Sequence, residues 1–508
     1  MRAVMSFVAC LVGLSALAAC TGGDTTSAPP PTPSAVGATA TPSGGPVELR
    51  VATFNIEYGG EVIDFDTVVE GALELDADVI GIEEAWGNIP RLAEAMGWPY
   101  YDPRTQLVSR FPILDPPDAD GTFTYVEVDP GRVVAIANVH LPSSPYGPVL
   151  ARNGRSRQHI LDVERSVRVP AIEPIATTVS ALASDGVPAF VVGDFNAPSH
   201  RDWTSETIGT RPQMRFAVAW PVSLLMEELG FVDSFRAIHP DPVTEPGLTW
   251  PAGRPTIDDG WNPSPQAPAD RIDFVWAAGP VETLDSVRLG EEGSAELSVS
   301  PYPTDHRGVV STFRVEPGVP PVLVAPLQRR VEAGQDVQIA FHAPASGSGR
   351  VQVVDASGAE VATAPTDGAV DGTANFDGSA WPPGSYETVL LDAAGDELAR
   401  APVWIVDPDA GATLSVTEPR VSEGDPIGVS WTGSPGNRWD WLGIYRRDAD
   451  PNVASYLLWD YTGATIEGSA SFGPASEGPW PLPPGRYTVY LLEDDGYDVL
   501  GAVDLTIT

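Results

Sequence analysis

The chain contains no lysine, so each of its 29 basic side chains is an arginine. Against these stand 69 acidic residues, and the formal net charge at pH 7 is −40. Such an acidic surface repels polyanions at long range, which argues against tight binding of nucleic acids or anionic lipids through the general surface. A local basic patch is still compatible with this composition.

Cysteine is almost absent as well. Cys10 and Cys20 are the only two, and both fall within residues 1–20. An exported chain cut before Cys20 keeps a single cysteine. Its domains are therefore expected to fold without disulfides, even in a compartment that permits them.

Long apolar runs are also scarce. The run from Val4 to Ala19 is short for a membrane span and predicts a secretory signal. Its LAAC ending at residues 17–20 resembles the lipobox of bacterial lipoproteins, whose cysteine is lipidated; the alternative is an ordinary signal peptide with an incidental cysteine. We predict a lipoprotein signal peptide over residues 1–20, lipidation at Cys20, and an extracytoplasmic protein anchored to a bacterial membrane.

The rest of the chain divides by composition. Residues 21–46 are rich in Thr, Ser, Pro, Gly and Ala and predict a flexible tether. Over residues 47–316, apolar runs alternate with longer amphipathic segments, which predicts sheets covered by helices in one domain. Short alternating runs separated by turn clusters then predict two β-sandwiches, over residues 317–408 and 409–508.

Five short motifs between residues 50 and 314 place polar side chains at the ends of strand-like runs. They are RVATFNIEYGG, DVIGIEEAW, NVHL, VVGDFNAPS and finally ADRIDFVW with TDHRGVV. A polar side chain at the rim of a buried strand costs about 1–3 kcal/mol unless a partner satisfies it. The repeated placement indicates that these residues share one site.

The motifs, in this order, resemble the endonuclease/exonuclease/phosphatase superfamily, which includes pancreatic-type deoxyribonucleases, apurinic endonucleases, inositol polyphosphate 5-phosphatases and neutral sphingomyelinases. The resemblance covers roughly half of the chain. It implies a four-layer α/β sandwich for the catalytic domain. The DWLGIY and PPGRYTVYLL segments resemble Ig-like modules appended to phosphohydrolases, so the predicted fold is this α/β domain followed by two all-β Ig-like sandwiches.

The resemblance also implies a metal site. Glu84 matches the principal metal-binding glutamate of the superfamily, and Asp305 would assist it. Oxygen ligands suit Mg²⁺, with Mn²⁺ as the alternative. The superfamily usually has Gln before this glutamate, whereas this chain has Glu83. A second carboxylate would either alter the metal preference or face away along the strand.

The remaining roles are implied in the same way. Asp194 would orient or deprotonate the attacking water, and Asn196 would donate to a phosphoryl oxygen; a simple Asx turn is the alternative. Asn55 would help to position the metal and Asp194. His140 and His306 would contact the phosphate or the leaving oxygen. The carboxylate that orients His306 is Asp273 or Asp270, and the candidates for a further active-site side chain are Tyr101, Arg104 and Tyr125.

One group of arginines follows the NVHL motif, beside a helix expected from about Val163 to Ala183. It is either a solvated helix face or a rim that receives an anionic substrate. The group consists of Arg152, Arg155, Arg157, Arg165 and Arg168.

Together these observations predict an exported, Mg²⁺-dependent hydrolase that cleaves a phosphodiester or phosphomonoester by in-line attack of activated water. The substrate would be a small phosphoester, a lipid headgroup or nucleic acid, and an extracellular endonuclease or exonuclease acting on DNA is the first alternative. The second is a catalytically inactive surface protein. The protein is expected to be a monomer, and the C-terminal modules offer a surface for a glycan or protein partner.

Overall fold

A computed structural model describes residues 44–508 except residues 120, 259–260, 345–348 and 477. The predicted signal peptide, the lipidation site at Cys20 and most of the predicted tether lie outside the described residues. Within the described part, no helix combines the length and the apolar character that crossing a bilayer requires.

Two central sheets form the N-terminal half. One has seven strands in the order β12-β11-β13-β1-β2-β4-β3, and the other has six in the order β5-β6-β7-β8-β10-β9. The strands are β1 (Val47–Asn55), β2 (Val79–Glu83), β3 (Tyr100–Asp102), β4 (Leu107–Ser109), β5 (Ile113–Leu114), β6 (Thr124–Asp129), β7 (Arg132–His140), β8 (Ala189–Asp194), β9 (Val232–Asp233), β10 (Asp273–Ala278), β11 (Val281–Gly290), β12 (Leu297–Ser298) and β13 (Gly308–Val315).

The two sheets pack face to face through one apolar layer, in which Val51, Val192 and Phe313 are fully buried. Strands β2 and β8 have no exposed residue, because each is covered on both faces. Near-continuous apolar runs such as VIGI and FVVG are typical of such doubly covered strands.

Helices cover the outer faces. The helices are α1 (Phe65–Glu74), α2 (Ile89–Met96), α3 (Gly147–Arg152), α4 (Arg157–Ser184), α5 (Pro221–Glu228) and α6 (Ser234–Ile238). Helices α1 and α2 pack on the seven-stranded sheet, and α4 and α5 on the six-stranded one. The predicted four-layer α/β sandwich is therefore confirmed. Helix α4 begins at Arg157 rather than near Val163, because the Ser156 hydroxyl accepts the His159 N–H and caps it.

The C-terminal part is all-β, as predicted. It contains two pairs of facing sheets, each a three-stranded and a five-stranded sheet with the same strand order: β14-β16-β19 with β15-β21-β20-β17-β18, then β22-β24-β27 with β23-β29-β28-β25-β26. The strands are β14 (Leu323–Pro326), β15 (Arg330–Glu332), β16 (Val337–His342), β17 (Arg350–Asp355), β18 (Glu360–Pro365), β19 (Asp371–Phe376), β20 (Gly384–Leu391), β21 (Glu397–Val406), β22 (Thr413–Val416), β23 (Arg420–Val421), β24 (Ile427–Thr432), β25 (Trp441–Arg446), β26 (Leu458–Tyr461), β27 (Gly468–Phe472), β28 (Gly485–Leu492) and β29 (Val499–Ile507).

Strand register brings the sequence motifs to one edge of both central sheets. Parallel pairing sets Asn55 of β1 opposite Glu83 of β2, and His140 of β7 opposite Asp194 of β8. Strand β10 runs antiparallel to β8, so its first residue, Asp273, also pairs with Asp194. The residues just before β13 reach the same edge, because β13 is antiparallel to β1.

Candidate active site

Asp194 is the centre of the site and is almost fully buried at the end of β8. Its Oδ1 accepts the Asn196 backbone N–H at 2.8 Å, and its Oδ2 accepts side-chain N–H groups of Asn196 at 3.1 Å and Asn55 at 3.4 Å. Burial raises the pKa of Asp194 to about 6, and the charge of His306 opposes the rise. A carboxylate with its pKa near neutrality is a suitable general base.

Asn196 holds the Asp194 carboxylate in place. Its side-chain amide donates to Asp194 and to the Leu141 carbonyl, at 3.0 Å for the latter. Asn196 therefore orients the candidate base. Its donation to a phosphoryl oxygen stays a prediction.

Glu84 lies immediately after β2 and faces the cleft. Its Oε1 accepts the Asn55 amide at 3.2 Å and its Oε2 accepts the Tyr58 backbone N–H at 3.0 Å. His140 Nε2 lies 4.0 Å from Glu84 Oε1 and 3.6 Å from Asp194 Oδ2. Glu84, Asp194, Asn55 and His140 are thus brought together as the motifs predicted.

Backbone strain is concentrated around these residues. Non-glycine residues with φ near +50° follow β1, β2 and β8, and a left-handed conformation costs such a residue about 1–3 kcal/mol. Strain of this kind persists where the surrounding structure holds it, often at functional sites. The residues are Glu57 (φ 52°), Tyr58 (50°), Glu84 (55°), Trp86 (46°) and Asn196 (47°).

The structure places Asp273 beside His306. His306 Nδ1 lies 3.0 and 3.1 Å from the two Asp273 oxygens, and its Nε2 lies 3.7 Å from Asp194 Oδ2. Burial lowers the pKa of His306, but the charges of Asp273 and Asp194 outweigh it and raise the pKa well above its ordinary value. These two carboxylates therefore favour the imidazolium form of the ring, and its Nε2 faces Asp194.

Asp270, the other candidate for this role, lies elsewhere. It accepts the Trp203 indole N–H at 2.9 Å and the Gln213 amide at 3.2 Å, and it pairs with Arg211. Its contacts hold the segment before β10 in place.

Asp305 is held by two residues that sequence reasoning missed. Its Oδ2 accepts the Trp250 indole N–H at 2.7 Å, and its backbone N–H donates to Glu57 Oε2 at 3.0 Å. Glu57 in turn forms a bidentate ion pair with buried Arg254. The position of Glu57 two residues after Asn55, in the NIEYGG motif, could have predicted its place near the site. No sequence feature predicted that of Trp250.

The donor set fits a hard divalent cation. Glu84 and Asp305 offer carboxylate oxygens at the cleft, which are the ligands that Mg²⁺ prefers. Asn55 orients Glu84 through its amide N–H, while its own oxygen accepts the Glu57 backbone N–H at 3.0 Å. A second group, Asp194, Asp273 and His306, has ligand atoms within 4.8 Å of one another. Because His306 Nδ1 is already hydrogen-bonded to Asp273, the second group is suited to proton handling, and Glu84 and Asp305 are suited to binding a metal.

Glu83 faces away from Glu84, between the two sheets. It is fully buried, its Oε2 accepts the Thr53 hydroxyl at 2.9 Å, and its Oε1 has no hydrogen-bond partner among the described residues. Burial, reinforced by the charge of Asp273, raises the pKa of Glu83 well above its ordinary value of 4.5. Burial therefore favours the neutral form of Glu83, which has the shape of a glutamine.

Replacing Glu83 with Gln is expected to remove part of the pH dependence of stability. In the wild type, the unfolded chain releases this proton near pH 4.5 while the folded protein keeps it. The free energy of unfolding then falls by about 1.4 kcal/mol per pH unit until the folded pKa is passed. Denaturant unfolding from pH 5 to 8 should show that the free energy of unfolding of Glu83→Gln increases relative to that of the wild type as pH rises.

Exposed Glu48 on the neighbouring strand provides the control. Glu48→Gln should follow the wild-type pH dependence, and a Glu83→Gln curve parallel to the wild type would show that Glu83 is ionised.

The site opens into a cleft of about 650 Å³. Aromatic side chains form much of its wall, and the last β-sandwich contributes two residues to it. The additional lining residues include Tyr58, Trp86, Tyr146, Trp250, Trp261, Asp495 and Tyr497.

The candidates for a further active-site Tyr or Arg do not line this cleft. Tyr125 is in the core, Tyr101 packs against the core beneath α1 and α2, and Arg104 pairs with Asp115. Tyr58 and Tyr146 line it instead.

None of the five arginines after the NVHL motif lines the described cleft either. Arg168 is fully buried and binds Glu164 at 2.8 Å, while Arg165 pairs with Asp162 on the surface. This favours a structural helix face over a rim for an anionic substrate.

Comparison with known proteins agrees with this geometry. A family model described as the Endonuclease/Exonuclease/phosphatase family matches residues 52–306. A Caenorhabditis elegans protein named Uncharacterized protein F14F9.5 is 28% identical over 288 residues, which is 52% of this chain and 91% of that protein.

Two solved structures are also similar to this chain. An endonuclease/exonuclease/phosphatase from Beutenbergia cavernae DSM 12333 has 17% identity and a TM-score of 0.30, with 70% of this chain and 100% of that chain covered. Truncated Caenorhabditis elegans TDP2 has 17% identity and a TM-score of 0.26, with 53% and 98% covered.

Proposed function

Because the chain belongs to the Endonuclease/Exonuclease/phosphatase family, we propose that it hydrolyses a phosphate ester by in-line attack of a water molecule whose proton passes to Asp194. The observation that carries this proposal is the setting of Asp194. Three N–H groups hold its carboxylate, and Nε2 atoms of two histidines lie 3.6 and 3.7 Å from it. A base fixed between two phosphate-binding groups suits attack on phosphorus.

Each neighbouring side chain has a task in this mechanism. The His306 imidazolium, held by Asp273, donates its Nε2–H to a phosphate oxygen and stabilises the charge that develops there. His140, whose Nε2 lies 3.6 Å from Asp194 Oδ2, protonates the leaving oxygen. Asn55 and Asn196 keep the Asp194 carboxylate in one orientation, so that little reorganisation is needed during the reaction.

Glu84 and Asp305 would hold a divalent metal ion, for which we propose Mg²⁺, and the Asn55 amide N–H would keep the Glu84 carboxylate in place. The ion, when bound, offsets the charge of the non-bridging phosphate oxygens. Trp250 and Glu57 orient Asp305 through the hydrogen bonds described above.

Removal of the metal is expected to abolish the activity. The chain from residue 21 onward should hydrolyse bis(p-nitrophenyl) phosphate with Mg²⁺ and lose at least about 100-fold with EDTA, because the ion supplies several kcal/mol. Readdition of Mg²⁺ or Mn²⁺ to the EDTA-treated enzyme then shows which ion restores the higher rate of hydrolysis. Equal rates with EDTA and Mg²⁺ would contradict the metal assignment, and the absence of hydrolysis of this diester, DNA and phosphoinositides would favour a binding protein.

We also propose that the enzyme acts outside the cytoplasm, anchored by lipid at Cys20 and spaced from the membrane by its tether. This rests on the LAAC motif and the composition of residues 21–46. Small phosphoesters and lipid headgroups are preferred over duplex DNA as substrates, because the arginine group lies outside the cleft.

A further inference from the structure

The last β-sandwich reaches into the catalytic cleft through the loop that joins β28 to β29. Asp494 in this loop is buried, and its Oδ2 accepts the Gly87 backbone N–H at 2.8 Å. The Gln106 amide donates to the same carboxylate at 3.2 Å. Both donors belong to the catalytic domain, so the loop is held against that domain by buried hydrogen bonds.

This docking places Asp495 and Tyr497 in the cleft wall. The Tyr461 hydroxyl donates to Asp495 Oδ1 at 3.0 Å, and the Tyr497 ring packs edge-on against Trp441. Between them, Gly496 lies against Trp86: a Cβ at this position would be 3.4 Å from Trp86 Cδ2. Both modules therefore build one continuous wall.

Tyr and Trp side chains are frequent among the residues that line this wall. Tyr58 and Trp86 form a tilted pair with ring centroids 5.0 Å apart. Tyr58 is 40% exposed and Tyr497 is 37% exposed, although large aromatic side chains are usually buried. Exposed rings beside a catalytic site are suited to contacting a ligand.

The lining of the cleft contains carboxylates but neither arginine nor lysine among the described residues. The chain as a whole has no lysine. Four of the five lining carboxylates have tasks in the proposed mechanism: Glu57 binds Arg254, and the others are Glu84, Asp194 and Asp305. Asp495 is the remaining one, and it is solvent-accessible.

We propose that the rings of Tyr58, Trp86 and Tyr497, with the Asp495 carboxylate, form a subsite for a quaternary ammonium group of the phosphoester substrate. This deepens the proposed function and rests on it. A quaternary ammonium has no N–H to satisfy, and aromatic faces attract it electrostatically. The carboxylate adds a charge of opposite sign, so Asp495 and Tyr497 select the substrate without taking part in the bond cleavage.

Two isosteric inhibitors test the subsite. Phosphocholine and 3,3-dimethylbutyl phosphate differ only in the charged nitrogen, which is a carbon in the second compound. Against hydrolysis of bis(p-nitrophenyl) phosphate, we expect phosphocholine to have an inhibition constant at least tenfold lower. Asp495→Asn and Tyr497→Leu should each bring the ratio of the two constants towards one.

Asp498→Asn is the matched control, because Asp498 is exposed in the same loop and does not line the cleft. This variant should keep the wild-type ratio. Equal inhibition constants in the wild type would overturn the proposal. So would an Asp495→Asn variant that weakens both inhibitors equally and raises the Mg²⁺ requirement, because Asp495 would then serve the metal.

Failure of the proposed function is distinguishable from failure of the subsite. If the wild type does not hydrolyse the diester, calorimetric binding of the two phosphates still tests the subsite, with the same expected ratio and the same variants. Glycerophosphocholine and phosphatidylcholine vesicles, used as competitors, separate a soluble substrate from a membrane-borne one. Competition by either supports the proposal, and competition by neither contradicts it.

Discussion

Asp194→Asn is expected to lower kcat for phosphodiester hydrolysis by about 100- to 10,000-fold, the usual contribution of a positioned general base. The amide keeps the size of the side chain but cannot accept the proton of the attacking water. Its NH₂ group also replaces one of the two acceptor oxygens. Either the two side-chain hydrogen bonds from Asn55 and Asn196 to Oδ2 are lost, or the bond from the Asn196 backbone N–H to Oδ1 is lost. Steady-state kinetics with saturating Mg²⁺ would measure the loss.

Asp185→Asn is the control for this variant. Asp185 is exposed after α4, just before the opposite end of β8 from Asp194. This substitution should leave kcat unchanged. An Asp194→Asn enzyme within tenfold of the wild type would show that another group takes the proton.

Arg271→Met should destabilise the catalytic domain by about 3–5 kcal/mol, the cost of breaking a buried ion pair by removing one partner. Arg271 is 1% exposed and donates to Asp202 at 3.0 and 3.2 Å and to Asp233 at 2.9 and 2.7 Å. Methionine fills part of the space but removes the positive charge beside the buried carboxylates of Asp202 and Asp233. Asp202 keeps its ion pair with Arg236. Denaturant unfolding followed by tryptophan fluorescence would measure the effect.

Arg314→Met makes the same chemical change on the surface. Arg314 pairs with Glu282 between two strands, and both side chains are more than half exposed. Exposed pairs contribute about 0–1 kcal/mol, so its unfolding midpoint should stay near that of the wild type. Equal midpoints for the two variants would contradict a stabilising role for Arg271.

Arg271 lies two positions before Asp273, the first residue of β10 and the partner of His306. The ion pairs of Arg271 therefore anchor the chain just before this residue.

Several features of the site were open to prediction from local sequence. Asn55, Glu84, His140 and Asp194 each end or follow an apolar run. The carboxyl ends of neighbouring parallel strands must meet at one edge, so these residues were expected together. The metal-ligand chemistry followed from the residue types, since oxygen donors suit a hard cation.

Other features depended on register and could not be read from composition. Asp270 and Asp273 are three residues apart in one segment, and either could have faced His306. Pairing of β10 with β8 puts Asp273 opposite Asp194, while Asp270 turns to Trp203 and Gln213. The predicted start of α4 near Val163 is also wrong, since the helix begins at Arg157. The capping role of Ser156 is visible only once the chain direction before the helix is known.

The sequence by itself determined the fold class, the family and the acid, amide and imidazole groups of the site, because these follow from short-range patterns at strand ends. Only the tertiary structure decided that Glu83 is buried between the sheets, that Trp250 and Glu57 hold Asp305, and that Asp495 and Tyr497 line the cleft. These contacts join residues far apart in the chain. Their formation depends on how whole sheets pack and on which buried polar groups find partners, and no local pattern encodes that outcome.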